Sequence, residues 1–508
     1  MMTAPELVAS LASRLSEMRL VVVANREPYI HHLDQAPRAG LWARLRGRGA
    51  TERLSWSRPA SGLVTALDPV MRACGGTWVA HGSGSGDRAA ADERGRVAVP
   101  PDQPSYALRR VWLSPEEEEG YYYGFSNNAL WPLCHIAYAR PVFNEDDWEQ
   151  YVTVNRRFAD TVLEEIEGTR ALVFVQDYHY ALLPRMVKQA RPDAVVCQFW
   201  HIPWPNPEAF RICPWQQEVL DGLLGNDLLG FHIQYHCNNF VETVDRTLEA
   251  RLDAETFTVH RRGHKTAVRP FPISIDPTLW STVAPGKAWD ADVKRTRRAL
   301  GLRGERLVMG VDRLDYTKGI PERLRALDRL LDRHPEWRER VVLLQIGAPS
   351  RDHLDRYRAL SDEVDALVAD INARHGTKAW TPVHYRREHH SAEEIAACYR
   401  AADVAIVSSL HDGMNLVAKE FVAARDDERG VLLLSRFTGA ARSMQDAMQV
   451  NPFATDEFAE ALHASLTMPD GEVARRMRSL RTHVHGHTVF DWAHDMLTAA
   501  CRIAETGR

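Results

Sequence analysis

Cysteine is scarce in this sequence: seven in 508 residues, at Cys74, Cys134, Cys197, Cys213, Cys237, Cys398 and Cys501. The count is odd and no two form a C-x-x-C pair, so neither a disulfide framework nor a zinc site is legible. A basic excess is also missing. Lys plus Arg number 63 against 68 Asp plus Glu, a formal net charge of -5. That balance argues against nucleic acid as a general partner, which needs a clear surplus of cations along the phosphate backbone. A small anionic ligand needs only a local cluster and stays open. No apolar run approaches the ~18 residues that cross a bilayer, so no membrane partner is expected. The first residues carry Glu6, Arg14, Glu17 and Arg19 and lack the pattern of a secretory signal. Together with the cysteines, this leads us to expect a cytoplasmic protein. HExxH, GxSxG, a Walker loop and metal-spaced His/Asp clusters are all lacking. Zinc hydrolysis, serine hydrolysis and P-loop phosphoryl transfer therefore have no support, and neither a metal nor a cofactor is expected. A homo-oligomer is left open.

What is present is ordinary for a soluble globular chain: 45% hydrophobic and 26% charged residues. Single cores stop growing at about 250–300 residues, so two domains are expected. Strands alternate with helices. Residues 4–17 read as a helix, Leu20 to Ala24 as a strand buried on both faces, and the basic, aperiodic stretch 33–57 as a mobile loop. A helix opening at Ser61-Gly62 ends at Gly75-Gly76 and leads into a strand at Thr77 to Ala80. Further strands are expected at Ala171 to Val175, Ala194 to Trp200 and Leu228 to His232. A second series follows: strands at Leu307 to Val311, Val341 to Ile346, Val383 to Tyr385, Val404 to Ser408 and Val431 to Leu434, with helices between them. This alternation predicts an α/β chain with two doubly wound halves and a boundary near residue 280. Residues 487–508 form a terminal helix expected to pack back on the N-terminal domain. Ligands of such sheets bind outside the carboxyl ends of the strands.

Five clusters stand at those ends: Asn25-Arg26; Gln176-Asp177-Tyr178-His179; His201-Ile202-Pro203; Arg313 through Gly319; and His411 through Glu420. Arg313 and Lys318 straddle a strand-to-helix turn, where backbone N–H groups also favour an anion, and a diphosphate would satisfy them. Alone, the pair reads first as a solvated surface pair matched by Asp312 and Asp315. Asp412 suits sugar hydroxyls, yet for Asp412 or Asn415 taken alone a simple helix N-cap is the commoner use. His201 alone reads first as a core histidine.

Taken in order, these clusters resemble the trehalose-6-phosphate synthase family over about residues 20 to 495. The resemblance rests on Asn25-Arg26; Tyr121-Tyr122 with Phe125-Ser126-Asn127 and Leu130-Trp131-Pro132; Asp177-Tyr178-His179; His201-Ile202-Pro203; Arg313-Leu314-Asp315-Tyr316 with Lys318-Gly319; and Asp412-Gly-Met-Asn-Leu-Val-Ala-Lys-Glu420. It implies a GT-B fold, two Rossmann-like domains (1–280 for the acceptor, 281–486 for the donor) facing across a cleft. It also implies a metal-independent retaining glucosyltransferase that joins glucose from a nucleotide sugar, UDP-glucose foremost, to glucose 6-phosphate. Arg313 and Lys318 would hold the donor diphosphate, Glu420 the ribose, and Gly413, Met414, Asn415, Leu416 and Val417 the surrounding turn. Asp412 and His201 would hold the glucose hydroxyls, and Gly62 would approach the phosphates. Asp177 would contact the acceptor sugar, and Arg26, Tyr122, Trp131 and Arg351 its phosphate. Asp177, His201, Arg313, Lys318 and Asp412 form the implied catalytic set. The phosphorylated product would pass to a separate phosphatase.

Four departures are visible. His81 stands where the family often has a tryptophan in the acceptor-phosphate pocket, and is itself a candidate contact. His411 replaces a basic residue, Gln176 replaces a histidine, and the segment 29–57 is long. Rivals within the fold are a glucosylglycerol-phosphate synthase and a pseudo-glycosyltransferase. Tyr122, Trp131 and Arg351 favour a hexose phosphate. A sugar-phosphate sensor without activity predicts loss of the diphosphate cations or of Asp412, and both are kept.

Overall fold

In the computed structural model, residues 2–34, 53–59, 62–281, 286–351 and 353–506 are described. The chain divides into two compact units, Met1–Pro272 with Phe490–Arg508, and Ile273–Val489. It leaves the first unit at Pro272, ahead of the boundary expected near residue 280, and returns at Phe490.

Among the described residues the first unit carries twelve strands: β1 (Arg19–Val23), β2 (Ile30–Asp34), β3 (Arg53–Ser57), β4 (Thr77–His81), β5 (Arg96–Val99), β6 (Tyr106–Val111), β7 (Ala171–Gln176), β8 (Val195–Phe199), β9 (Leu228–Phe231), β10 (Arg251–Asp253), β11 (Thr258–Arg261) and β12 (His264–Pro270). Ten of them form one sheet in the order β10-β11-β12-β9-β8-β7-β1-β4-β6-β5. Its centre is parallel, as continuous apolar runs demand. Every residue of β7 and β8 is buried. Strand order runs one way from β1 through β4 and the other through β7, so a topological switch point lies between β1 and β7. The terminal helix Val489–Thr506 belongs to this unit from Phe490 on. Its Trp492 packs edge-on against Phe199 at 5.0 Å and tilted over Phe174 at 6.1 Å.

One expectation for this unit is corrected. Within the stretch read as a loop, β2 and β3 pair antiparallel, Ile30 against Ser57 through Asp34 against Arg53. β3, Arg-Leu-Ser-Trp-Ser, does alternate, but at five residues each the two strands are too short to stand out, and Leu54 and Trp56 are exposed. Residues 35–52 lie outside the described residues. A second element escaped the 3.6-residue pattern altogether. Glu119–Leu130 is a π-helix, whose i→i+5 bonding shifts each side chain off the face an α-helix would give it.

The second unit carries six parallel strands, β13 (Arg306–Arg313), β14 (Val341–Ala348), β15 (Val383–Arg386), β16 (Val404–Val407), β17 (Val431–Ser435) and β18 (Met448–Val450), in the order β15-β14-β13-β16-β17-β18. Here the switch point lies between β13 and β16. The helix Ile320–Arg333 buries Ile320, Leu324, Leu327, Leu330 and Leu331 on the sheet.

Candidate active site

The second unit's cations meet at its switch point. β13 ends in Arg313, and Asp315 caps the turn that follows by accepting from Thr317 N at 3.0 Å. Gly319 then enters the helix Ile320–Arg333 with φ +62°, and a Cβ there would lie 2.1 Å from Ser408 O at the end of β16. That close approach seats Lys318 beside the next strand's loop. Its Nζ lies 2.6 Å from Asp412 Oδ2. Burial opposes the ammonium, but the carboxylates of Asp412, Asp312 and Asp315 outweigh it and raise the Lys318 pKa.

Asp312 and Asp315 act on Lys318 from a distance, while their direct ion pairs are with other residues. Asp312 binds Arg323 at 2.7 Å, a guanidinium that also meets Gln345 and Ser408 in the core. Asp315 meets Arg351 at 3.4 Å. The sequence motif thus brings Lys318 to Asp412, across ninety-odd residues, as no local spacing could show.

Asp412 also accepts from Asn415 Nδ2 and Ser409 Oγ, both at 3.2 Å. Asn415 does serve as the N-cap, accepting from Ala418 N at 3.1 Å. Gly413 and Met414 are buried beneath the turn, while Leu416 and Val417 open the helix Leu416–Ala423. Its first N–H groups lack intrahelical acceptors and point out of the turn. Further along, burial pushes the Glu420 carboxyl up to about 7. Its neighbour Lys419 is sequestered, donating to Ile273 O at 2.8 Å, and burial pushes it down to about 7. Arg351 has φ +54° and donates to the Tyr357 hydroxyl at 2.5 Å.

In the first unit, Asp177 stands at the end of β7 with φ +70°, uncommon for a side chain larger than glycine. Its Oδ1 accepts from Tyr178 N at 2.9 Å and from His201 N at 3.1 Å, tying the ends of β7 and β8. His201 Nε2 meets Gln176 Oε1 at 3.0 Å. Burial pushes this imidazole down to about 3, so it is neutral at physiological pH and works as a hydrogen-bonding group.

At the end of β1 lies a cavity of about 240 Å³ lined by Asn25, exposed Arg26, Glu27, His81, Glu118 and Tyr122, among others. Tyr122 stacks on His179 at 5.5 Å and 10°. Trp131 is buried, its ring 4.1 Å from that of His135. His81 meets Val111 O through Nδ1 at 3.3 Å, with its Nε2 3.9 Å from Glu118. Gly62 opens the helix Gly62–Cys74 at the surface.

Arg26, His81 and Tyr122 thus share one cavity, Asp177 and His201 stand at neighbouring strand ends, and Trp131 opens the helix Trp131–His135. Glu27, Glu118 and Ser83 of the cavity were missed. The only local signal was an acid directly after Arg26 and a serine within a glycine-rich loop.

One group of metal-ligand types gathers among the described residues, contrary to the reading of the sequence: His334, Glu336 and His463, on the second unit. The two imidazoles lie face to face at 3.8 Å and 9°. In parallel rings the in-plane lone pairs do not converge on one ion. His463 Nδ1 moreover accepts from Trp337 Nε1 at 3.0 Å, which leaves its proton on the other nitrogen. The group lies in a different part of the unit from the strand ends above.

Comparison with known proteins sharpens this picture. The model of glycosyltransferase family 20 matches residues 19–502. A trehalose-6-phosphate synthase of Mycolicibacterium smegmatis is 39% identical over 495 residues, covering 96% of this chain and 93% of that protein. A UDP-forming α,α-trehalose-phosphate synthase of Burkholderia xenovorans, solved with glucose 6-phosphate, superposes with TM-score 0.80 at 29% identity over 95% of this chain and 99% of its own. An E. coli trehalose-6-phosphate protein bound to UDP-2-fluoro glucose superposes with TM-score 0.79 at 28% identity, again over 95% and 99%.

Proposed function

This chain belongs to glycosyltransferase family 20, and from that premise we propose that it moves glucose from UDP-glucose to glucose 6-phosphate with retention, releasing UDP and α,α-trehalose 6-phosphate. The observation that carries the reading is the meeting of Lys318 and Asp412 at the switch point of the second sheet. A cation is held there, at a strand-to-helix turn, by the residue that is to receive the sugar.

Departure of UDP puts negative charge on the β-phosphate. Arg313 and Lys318 stabilise that charge from fixed positions, and the helix start at Leu416 and Val417 adds backbone donors. Glu420 accepts from the ribose hydroxyls. Asp412 accepts from the glucose hydroxyls, and Gly413, Met414 and Asn415 shape the turn that presents it. His201, neutral and bound to Gln176 through Nε2, keeps Nδ1 for a glucose hydroxyl.

No carboxylate is assigned as nucleophile. Asp177 Oδ1 already takes two backbone N–H groups and serves as an acceptor-sugar contact. A front-face transfer, in which the leaving phosphate takes the acceptor's proton, suits this inventory. Gly62 gives the donor phosphates close approach. Arg26, with Tyr122, Trp131 and His81, receives the acceptor phosphate, and Arg351 is a further phosphate contact. Paired guanidinium donors match phosphate oxygens. All seven cysteines are thiols, and among the described residues no helix is long and apolar enough to cross a membrane. A cytoplasmic setting suits both, with a separate phosphatase taking the product.

Lys318→Ala tests the assignment. With glucose 6-phosphate as acceptor, kcat/KM is expected to fall by about 10²–10³, the loss typical of one preorganised donor to a developing charge, with the circular dichroism spectrum unchanged. Near-normal turnover would remove the diphosphate role.

A further inference from the structure

Behind the cavity at the end of β1 lies a charge imbalance. The Arg110 guanidinium, wholly buried, lies 2.8 Å from Glu27 through Nε and 2.8 Å from Asp87 through Nη2. Both carboxyl groups are buried as well, with residue exposures of 2% and 0%. Among the described residues the further titratable neighbour in this core is His31, whose Nδ1 faces Arg110 Nη2 at 2.8 Å and lies 3.7 Å from Asp87 Oδ1. A guanidinium can only donate, so that nitrogen accepts and the imidazole is neutral. Two buried carboxyl groups therefore face one cation. An uncompensated buried anion is costly, and the cheap resolution is a proton.

Each carboxyl takes Arg110 and two further donors, and the two on Asp87 are the shorter. Asp87 takes backbone donors from His31 at 2.8 Å and Gly84 at 2.6 Å besides Arg110, the environment of an anion. Glu27 takes Ser83 N at 3.1 Å and Ser83 Oγ at 3.2 Å besides Arg110, and its carboxyl lies beside that of Asp87.

Resting on the reading of this cavity as the acceptor-phosphate site, we propose that Glu27 is a positioning residue of that site, held as a neutral acid that shares one proton with Asp87, and that acceptor binding depends on that proton. Glu27 lines the same cavity as Arg26, with His81, Glu118, Ser83, Tyr121 and Tyr122 around them. Glu118 faces His81 at 3.9 Å, and Glu27 follows Arg26 directly in the chain. Ionised, it places a negative charge at the wall of the cavity that is to receive a dianion. Neutral, it leaves Arg26 to the phosphate.

The glycine-rich loop Gly82–Gly86 fits the same account. It looks like a phosphate cradle, but its N–H groups go to Val111 O, Glu27, Asp87 and His31 O. The two carboxyl groups occupy the place of an anion there, and the loop is support for the pocket. Burial pushes the Glu27 carboxyl up to about 8, Asp87 adding to the effect and Arg110 opposing it. For Asp87 burial is outweighed by the hydrogen bonds it accepts, the His31 and Gly84 backbone N–H groups among them, which hold it below the usual range.

The test is the acceptor KM as a function of pH. Glucose 6-phosphate is already dianionic above its second pKa of about 6, so its own titration is over. For the full-length enzyme, the acceptor KM is expected to stay flat near neutrality and to rise by up to about tenfold per pH unit above about 8, with the donor KM unmoved. Glu27→Gln is expected to abolish the rise. Asp87→Asn removes the partner that shares the proton, so Glu27 ionises against Arg110 and the rise moves to lower pH.

A flat wild-type profile, or a Glu27→Gln profile that keeps the alkaline rise, overturns the proposal. If Glu27→Gln fails to fold by circular dichroism, the wild-type and Asp87→Asn profiles decide it. Calorimetric binding of glucose 6-phosphate to wild type and Arg26→Ala at pH 7 separates the two readings. Equal affinity there removes the acceptor site itself, whereas weakened binding with a flat pH profile removes only the shared proton.

Discussion

Glu420 concentrates the residue-scale argument. Two ribose hydroxyls are best met by a carboxylate, which only accepts, and burial has pushed this carboxyl up to about 7. Below that pH the group carries a proton and loses acceptor capacity; above it the group is ionised and complete. The donor KM is therefore expected to rise as pH falls from about 8 to about 6, while Glu420→Gln raises it at every pH and flattens the profile. Initial rates at saturating acceptor decide the matter, and a wild-type donor KM constant over that range would take the ribose from Glu420. Such a residue was legible, standing about one turn into the helix that follows Asp412-Gly413-Met414-Asn415. Its raised pKa was not, because that comes from packing. Glu27 was less legible still. Its partners Asp87 and Arg110 are sixty and more residues away, and a charged triplet so spaced leaves no periodic trace.

At the scale of elements, the turn Asp412 to Asn415 is held from below. A Cβ on Gly439 would come within 2.0 Å of Gly413 O, a backbone atom that cannot swing aside. Asp412 also bridges to Thr438, next to Gly439. Gly439→Ala is thus expected to displace the turn, costing about 1–3 kcal/mol as overpacking does. The expected result is a donor KM raised at least several-fold with the acceptor KM unchanged, alongside a lower melting temperature. Equal kinetics with a lower melting point would mean that the turn tolerates the shift and does not set donor geometry. The strands were readable because burial on both faces writes continuous runs such as Leu172–Val175 and Leu432–Leu434. The hairpin β2–β3 was not, having charged and polar side chains and a long intervening segment. Nor was the π-helix Glu119–Leu130, whose periodicity is outside the two patterns that sequence reading relies on.

For the whole molecule, each unit has a switch point of its own; Arg313, Lys318, Asp412 and Glu420 stand at that of the second, while Arg26 and its cavity stand at that of the first, the unit that also carries His201 and Gly62. The alternation of strands and helices foretold two doubly wound units, because parallel strands require crossover helices. It could not foretell that the chain changes unit at Pro272 and comes back at Phe490, since that depends on which core takes Trp492. The account's central claim is a single reaction, and product NMR tests it most directly. UDP-glucose is supplied with glucose 6-phosphate in EDTA, in parallel with free glucose and with glycerol 3-phosphate. The account predicts a non-reducing disaccharide phosphate with both anomeric protons α, formed together with UDP, far faster with glucose 6-phosphate than with the other two and undiminished by the chelator. A β linkage, a preference for glycerol 3-phosphate, equal use of free glucose, or activity lost to EDTA and restored by Mg²⁺ would contradict it.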